Sequence, residues 1–280
     1  MSPRQERTSN ALFVFDYSGT LSRAAVEFGE KRHLVRELRR SGLVACGVRG
    51  PDDFWESIVN PTWEEGSVTA VGYRKLIERQ LGLLARERGN DIDNDAAQEA
   101  AGRFVEAYLS ASTIEAGWGR LLARLAALPS AAVLIATDHY AEAGAWIVRH
   151  LRRLGIDGHR FGEPHAAAGV AVASSADLGA LKSSTRFWQA VAGLTAGPEK
   201  EAGAVYAAVT VIDDFGRNEV ALDSYAANTA AQVRATETEQ AVQTAFHCSV
   251  RILQFTPRLR THASWAAEIL RIREAIDLSV

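Results

Sequence analysis

The chain has 280 residues, 47% of them hydrophobic and 23% charged, and a formal net charge of −3. That size suits one large domain or a core with an insertion, and the lack of a basic excess argues against a nucleic-acid partner. No apolar run approaches membrane-spanning length. Two distant cysteines, Cys46 and Cys248, form neither a metal-spaced cluster nor a disulfide framework, so the expected location is the cytoplasm.

Residues 1–10 are polar and read as a mobile tail. Ala11 to Phe15 is apolar without a helical period and stops at a turn signal. This predicts a short buried strand with Asp16 at its C-terminal end. Ser22 to Arg40 predicts one amphipathic helix stopped by Gly42. Residues 47–66, with Gly, Pro and acidic-aromatic groupings, predict loop with one short helix. Ser67 to Arg88 and Asp95 to Ser110 predict two further helices, and Asn90, Asp91 and Asn94 mark the gap. Glu115 to Leu128 predicts a helix that ends before Pro129.

The pattern then changes. Ala131 to Ala136 predicts a buried strand, followed by Thr137-Asp138-His139 and a helix from about Ala141 to Leu154. Ala/Gly-rich stretches at 166–181 and 192–204 predict loops, and Lys182 falls just ahead of a helix-like stretch from Ser184. Val205 to Ile212 predicts a strand that ends on Asp213-Asp214, and a helix containing Ala226 to Ala235 follows. Val250 to Phe255 and Ala263 to Ala275 predict a last strand and a last helix. Alternation of strand and helix argues for a parallel sheet covered by helices. A helical block interrupts it just after the first strand, where it is placed to cover the crevice at the strand ends.

Three predicted strand ends carry polar groups: Asp16, Thr137, and Asp213 with Asp214. Parallel strands bring their C-terminal ends to one edge, where ligands of open α/β sheets collect. Asp16 taken alone could be a nucleophile, a metal ligand or a helix cap. Carboxylates meeting at that edge repel one another unless a cation sits among them. A hard divalent ion with oxygen ligands is the natural guest, and Mg²⁺ also accepts substrate phosphate. A lysine and a threonine hydroxyl could hold further phosphate oxygens, and an in-line Asp could attack the phosphorus.

In order, these pieces resemble the four motifs of the haloacid dehalogenase-like hydrolase superfamily. The first, a strand followed by Asp-x-Asp-x-Thr, is similar to Asp16-Tyr17-Ser18-Gly19-Thr20 except at its third residue. The second corresponds to Val133 through Thr137, the third to Lys182, and the fourth to Val211-Ile212-Asp213-Asp214 with Asn218. The resemblance spans about residues 11–225. It implies a Rossmann-like α/β core at 11–20 and 115–280, with an inserted helical cap at 21–114. It also implies a Mg²⁺-dependent phosphohydrolase acting on a small phosphorylated metabolite through an aspartyl-phosphate. Asp16 would be nucleophile and metal ligand, Ser18 would offer its backbone carbonyl to the metal, and Asp213 and Asp214 would complete the metal set. Thr137 and Lys182 would bind the phosphoryl group, with Gly19, Thr20 and Asp138 beside it. No nucleic-acid or membrane partner is implied, and a homodimer is left open.

Ser18 departs from the pattern. Phosphomonoesterases of the superfamily carry a second Asp there, which protonates the leaving group and then activates water; serine is a poor acid and base near neutral pH. Three readings follow: a substrate with a good leaving group, a substitute proton carrier such as His139 or a cap side chain, or a weak or regulatory activity. Branches lacking that Asp include haloacid dehalogenases, which need no metal and lack the acidic pair, and membrane-spanning P-type ATPases. The phosphonoacetaldehyde hydrolase branch uses a cap lysine as a Schiff base, for which Lys31 and Lys75 are the candidates. Trp55, Trp63, Glu64 and Glu65 line a substrate pocket or serve packing and solvation, and Arg49 is a candidate contact for an anionic substrate.

Overall fold

The computed structural model of the chain describes residues 11–89, 91–163, 169–196, 206–219 and 228–277. The expected tail at 1–10, Asn90, parts of the loops expected at 166–181 and 192–204, and the expected helix start at Ala226 lie outside them. Six strands form one parallel sheet: β1 (Ala11–Phe15), β2 (Ala131–Thr137), β3 (Gly158–Arg160), β4 (Val170–Ser174), β5 (Ala208–Asp213) and β6 (Ser249–Gln254). Their order is β3-β4-β2-β1-β5-β6, a Rossmann-like α/β core.

The period of two along each strand divides the interior into two cores. Phe13 and Phe15 face one side with Val133, Ile135 and Ile212, against Trp118 and Trp265. Leu12 and Val14 face the other with Leu134, Val209 and Val211, against Phe187 and Trp188. Trp118 lies on α7 (Ala116–Ala127) and Trp265 on α12 (His262–Asp277), whereas Phe187 and Trp188 lie on α10 (Thr185–Ala196). β1 is buried on both faces, which explains its unbroken apolar reading. α8 (Ala143–Arg153) follows β2, and α11 (Asn228–Phe246) precedes β6.

Six helices fill the chain between β1 and α7. The predicted single helix over 22–40 is two, α1 (Arg23–Gly29) and α2 (Lys31–Ser41). Glu30 between them is extended, with φ −63 and ψ 139. One straight helix burying Ala25 and Val26 would next turn Gly29, Glu30 and His33 inward. The break instead lets Leu34 and Leu38 face the core. Gly42 ends α2 at φ 95, the left-handed conformation expected of a stop glycine.

The predicted loop at 47–66 is mostly helix. α3 (Pro51–Phe54) runs through a wide π turn at Trp55–Val59 into α4 (Asn60–Gly66). Pro51 opens the run and Asp52 and Asp53 sit in its first turn, both favourable helix starts. Pro61 cannot donate to the carbonyl of Ser57, and the wide turn falls where that bond is lost. The Gly, Pro and acidic-aromatic groupings of 47–66 have a loop-like composition, yet Phe54, Trp55, Ile58, Val59 and Thr62 are buried at helical spacing. α5 (Tyr73–Glu87) starts six residues later than predicted, after Gly72, and α6 (Asn94–Ala111) lies close to its expected span.

Two strands were not foreseen. β4, with α9 (Ser175–Leu178) directly after it, occupies the stretch predicted as loop at 166–181, and β3 pairs with β4 at the sheet edge. Val170-Ala171-Val172-Ala173 carries small side chains that read as loop. Between two strands and under helices, small residues are what fits. No helix among the described residues is long and apolar enough to cross a membrane.

Candidate active site

Register places the site. Phe15 is level with Ile135 of β2 and Ile212 of β5, so the next residue of β1 meets the ends of both neighbours. The Asp16 N–H donates to the Ile212 carbonyl at 2.9 Å. Asp16, Asp213 and Asp214 are all buried, and carboxylate oxygens from the three lie within 4.8 Å of one another. Lys182 reaches the same point from the loop after α9. Its Nζ donates to Asp16 Oδ1 at 2.5 Å and to Asp213 Oδ2 at 2.7 Å. Asp138 accepts the Lys182 backbone N–H at 2.9 Å, and the Lys182 carbonyl accepts Trp188 Nε1–H at 2.6 Å. Trp188 is fully buried, so the lysine stands on rigid core.

One ammonium faces three carboxylates, and the electrostatics follow. Burial pushes the Asp16 carboxyl well above the usual carboxylate range; Lys182 opposes this, and Asp213 and Asp214 reinforce it. Asp214 is pushed up to about 8, by burial first and then by Asp213 and Glu219, against the pull of the Asn218 and Gly216 N–H groups. Asp16 Oδ2 and Thr137 Oγ1 are buried without a hydrogen-bond partner. Such orphaned oxygens beside clustered carboxylates suit an oxygen-liganded cation and its anionic ligand. The buried acidic triad thus fits a metal site.

The turn after β5 is built around these carboxylates. Asp214 Oδ1 accepts the Gly216 N–H and Oδ2 accepts the Asn218 N–H, while Asn218 Nδ2 donates to the Gly19 carbonyl at 2.7 Å. Thr20, fully buried, accepts the Asp214 N–H on its hydroxyl at 3.1 Å. Gly19 has φ +78, and a Cβ there would stand 2.5 Å from Asp214 Oδ2. Gly19→Ala is therefore expected to lower stability by about 2 kcal/mol or more, from left-handed strain and displacement of Asp214. Thermal melting checks this, and an unchanged Tm would show that the close approach is relieved at no cost.

Asp16, Ser18, Asp138, Asp213 and Asp214 line a pocket between the strand ends and the helical block. Gly19, Thr20, Thr137 and Lys182 are not on its wall. Thr20 and Gly19 serve the scaffold of the turn, and Thr137 and Lys182 are buried, with Lys182 Nζ on the Asp16 and Asp213 carboxylates. One charge-bearing wall residue, Glu219, was not foreseen. Ser18 Oγ donates to Glu219 Oε1 at 2.8 Å, across 201 positions of sequence, and Glu219 lines the pocket. Its sequence signal is its place directly after Asn218, the last residue of the fourth motif.

Other candidates fall away from the chemistry. Lys31 pairs with Asp52 and Lys75 with Glu78, with side chains 69% and 59% exposed, and neither lines the pocket. Arg49 and Glu64 are exposed and Glu65 is half-buried, and all three are absent from the wall; Trp55 and Trp63 are on it.

His139 is buried, and burial pushes its pKa down to about 4. Its Nδ1 accepts the Tyr140 N–H at 2.8 Å, which leaves the hydrogen on Nε2, 3.0 Å from the Tyr108 hydroxyl. A neutral ring so hard to protonate is a poor proton carrier near pH 7. Its depressed pKa has a consequence for stability. Between pH 6.5 and about 4 the unfolded chain binds a proton that the fold excludes, so up to about 3 kcal/mol is present above pH 6.5 and lost on acidification. His139→Asn keeps an acceptor for Tyr140 and is expected to flatten the pH dependence of denaturant unfolding in that window. An unaltered slope would mean that His139 is not held neutral.

The chain is similar in structure to the 2-haloacid dehalogenase of Pseudomonas syringae pv. Tomato DC3000. The TM-score is 0.51 at 18% identity, over 94% of this chain and 99% of that one. This is the haloacid dehalogenase fold. The L-2-haloacid dehalogenase of Xanthobacter autotrophicus, with chloropropionic acid covalently bound, is similar at TM-score 0.45 and 14% identity, over 95% of this chain and 87% of that one. A family enzyme from Bacteroides thetaiotaomicron, a mutant in complex with magnesium and inorganic phosphate, is similar at TM-score 0.41 and 10% identity, over 88% and 94%. No protein-family model matches the chain, and no curated protein matches it. The haloacid dehalogenase fold accounts for the sheet order and for Asp16 at the end of a central strand.

Proposed function

We propose that this protein is a Mg²⁺-dependent phosphohydrolase that acts on a small phosphorylated metabolite through Asp16. The observation that carries the reading is the buried set of Asp16, Asp213 and Asp214 with Lys182 Nζ between two of them. An Asp16 carboxylate oxygen attacks phosphorus, the ester P–O bond breaks, and the leaving oxygen takes up a proton. Water then attacks the aspartyl-phosphate, releasing inorganic phosphate and restoring Asp16. Lys182 and Thr137 hold phosphoryl oxygens, and Lys182 offsets charge on Asp16. Held by Asp16, Asp213, Asp214 and the Ser18 carbonyl, Mg²⁺ would supply positive charge to the phosphoryl oxygens.

Glu219 answers the departure at Ser18. Its carboxyl is at the pocket wall and bonded to the Ser18 hydroxyl. In this reading Glu219 protonates the leaving oxygen and later takes a proton from water, with Ser18 as its positioning residue. The helices of 21–114 act as the cap, closing over the core of 11–20 and 115–280 to exclude bulk water.

The similarity to a 2-haloacid dehalogenase and the serine at position 18 favour a second reading, displacement of halide from a haloacid by Asp16. Two features weigh against it. A haloacid carboxylate would find no lysine or arginine on the described wall, and the acidic pair has no task in a metal-free displacement. One assay separates the two readings. Phosphate release from a phosphoester panel is expected with Mg²⁺ and not with EDTA, and chloride release from chloropropionate is expected in neither. Chloride release in EDTA would replace the phosphohydrolase reading.

A further inference from the structure

The pocket wall above the carboxylates restricts what the phosphate can be attached to. Apart from His139, the acid-base side chains on it other than tyrosine are all carboxyls: Asp16, Asp138, Asp213, Asp214 and Glu219. Among the described residues no lysine or arginine lines it, and His139 is held neutral by burial. Arg260 donates to the backbone carbonyl of the wall residue Glu219 at 2.5 Å, and three basic groups of the nearby helices have carboxylate partners. Lys31 pairs with Asp52, Arg74 with Glu78, and Arg88 with Asp53. The rest of the wall is apolar and largely aromatic, including Phe28, Trp55, Trp63, Tyr108 and Tyr140. Its hydroxyls already have neighbours: Tyr108 bonds His139, and the Tyr140 oxygen lies 3.5 Å from Thr62 Oγ1.

We infer that the leaving group is an uncharged, mainly apolar group carrying no second phosphate or carboxylate. This inference rests on the phosphohydrolase reading and names its substrate class. The three triad carboxylates can be balanced by a bound cation and Lys182, but that charge serves the phosphoryl group being transferred. A second anion on the leaving group would lose its water with no cation to receive it, beside Asp138 and Glu219. Sugar hydroxyls would lose hydrogen bonds to water, and away from the carboxyl groups they would find few partners along the aromatic part of the wall. An apolar ring gains instead from leaving water and from edge contacts with aromatic neighbours. Trp63 is the residue at which to alter this preference. It is half-buried and packs edge-on against Tyr140, with centroids 5.5 Å apart.

Three phosphate esters of primary alcohols test the inference, because their leaving groups differ little in chemical reactivity: benzyl phosphate, glycerol phosphate and phosphoglycerate. With Mg²⁺, kcat/KM is expected to favour benzyl phosphate by about 10²-fold over the other two. Trp63→Lys is expected to narrow the gap between benzyl phosphate and phosphoglycerate by about tenfold, and to leave glycerol phosphate a poor substrate. Should that variant not fold, calorimetric binding to the wild-type protein decides: benzylphosphonate is expected to bind about 10²-fold tighter than phosphonoacetate. Phosphoglycerate or glycerol phosphate turned over as well as benzyl phosphate, or phosphonoacetate bound as tightly as benzylphosphonate, overturns the inference. The phosphohydrolase reading would survive that result if label from the ester still appears on Asp16. No phosphate release and no label from any ester would remove both.

Discussion

Asp16→Asn is expected to lower phosphate release by roughly 10⁴-fold or more, the scale on which an enzyme loses its nucleophile, and to leave no phosphoenzyme. The variant should fold. Asp16 is buried and its carboxyl is already pushed toward the neutral form, by desolvation first and then by Asp213 and Asp214. A neutral amide of nearly the same shape removes that repulsion, and Lys182 retains Asp213 at 2.7 Å. A Tm equal to or above that of the wild type should accompany the lost activity, which separates a chemical defect from unfolding. The measurement is acid-quenched labelling with a phosphoester radiolabelled in its phosphate. Wild-type turnover in a folded Asp16→Asn protein would remove the nucleophile assignment and the proposed function with it.

The second large effect concerns Glu219. Glu219→Gln is expected to cut kcat on alkyl phosphates by about 10²–10³-fold, within the range for loss of general acid-base help. Esters whose leaving group needs no proton, such as nitrophenyl phosphate or acetyl phosphate, should lose far less in the first step. A residue that merely holds Ser18 would lower both series alike, so equal losses would refute the proton-carrier role. A double variant adds a positive result. Ser18→Asp placed on Glu219→Gln returns a carboxyl to the position next to Asp16 in the motif, and alkyl phosphate turnover should recover in part. The 2.8 Å bond from Ser18 Oγ to Glu219 Oε1 is the reason to expect one carboxyl to stand in for the other.

Much of this arrangement is legible in the sequence. β1 ends on Phe15 as predicted, and the strand ends at Thr137 and Asp213 lie at the edge that holds Asp16. Those segments are apolar runs that stop abruptly at polar residues, and a buried parallel strand writes that pattern locally. Lys182 precedes α10 as expected, and its ion pairs with Asp16 and Asp213 bring the carboxylates and lysine of the sequence motifs into one place. Errors fell where local composition and tertiary role disagree. Residues 51–66 carry two prolines and acidic groups, yet fold as helix because one face is buried. Val170–Ser174 is made of small residues, yet is a strand because β2 and β3 flank it.

For the feature most informative in the chain, Asp16 followed two residues later by Ser18, the division is clear. The sequence by itself determined that a carboxylate ends the first strand, that two more follow the apolar run ending at Ile212, and that the usual partner at position 18 is missing. Those are properties of short segments, carried by periodicity and by residue identity at a turn. Only the tertiary structure decided what stands in the gap. Glu219 is 201 positions from Ser18, in a turn held by Asn218 and Asp214. That no lysine or arginine among the described residues lines the pocket was equally out of reach. It depends on which of the many arginines face their own ion-pair partners and which face the cavity, and side-chain direction across packed helices is set by the whole fold.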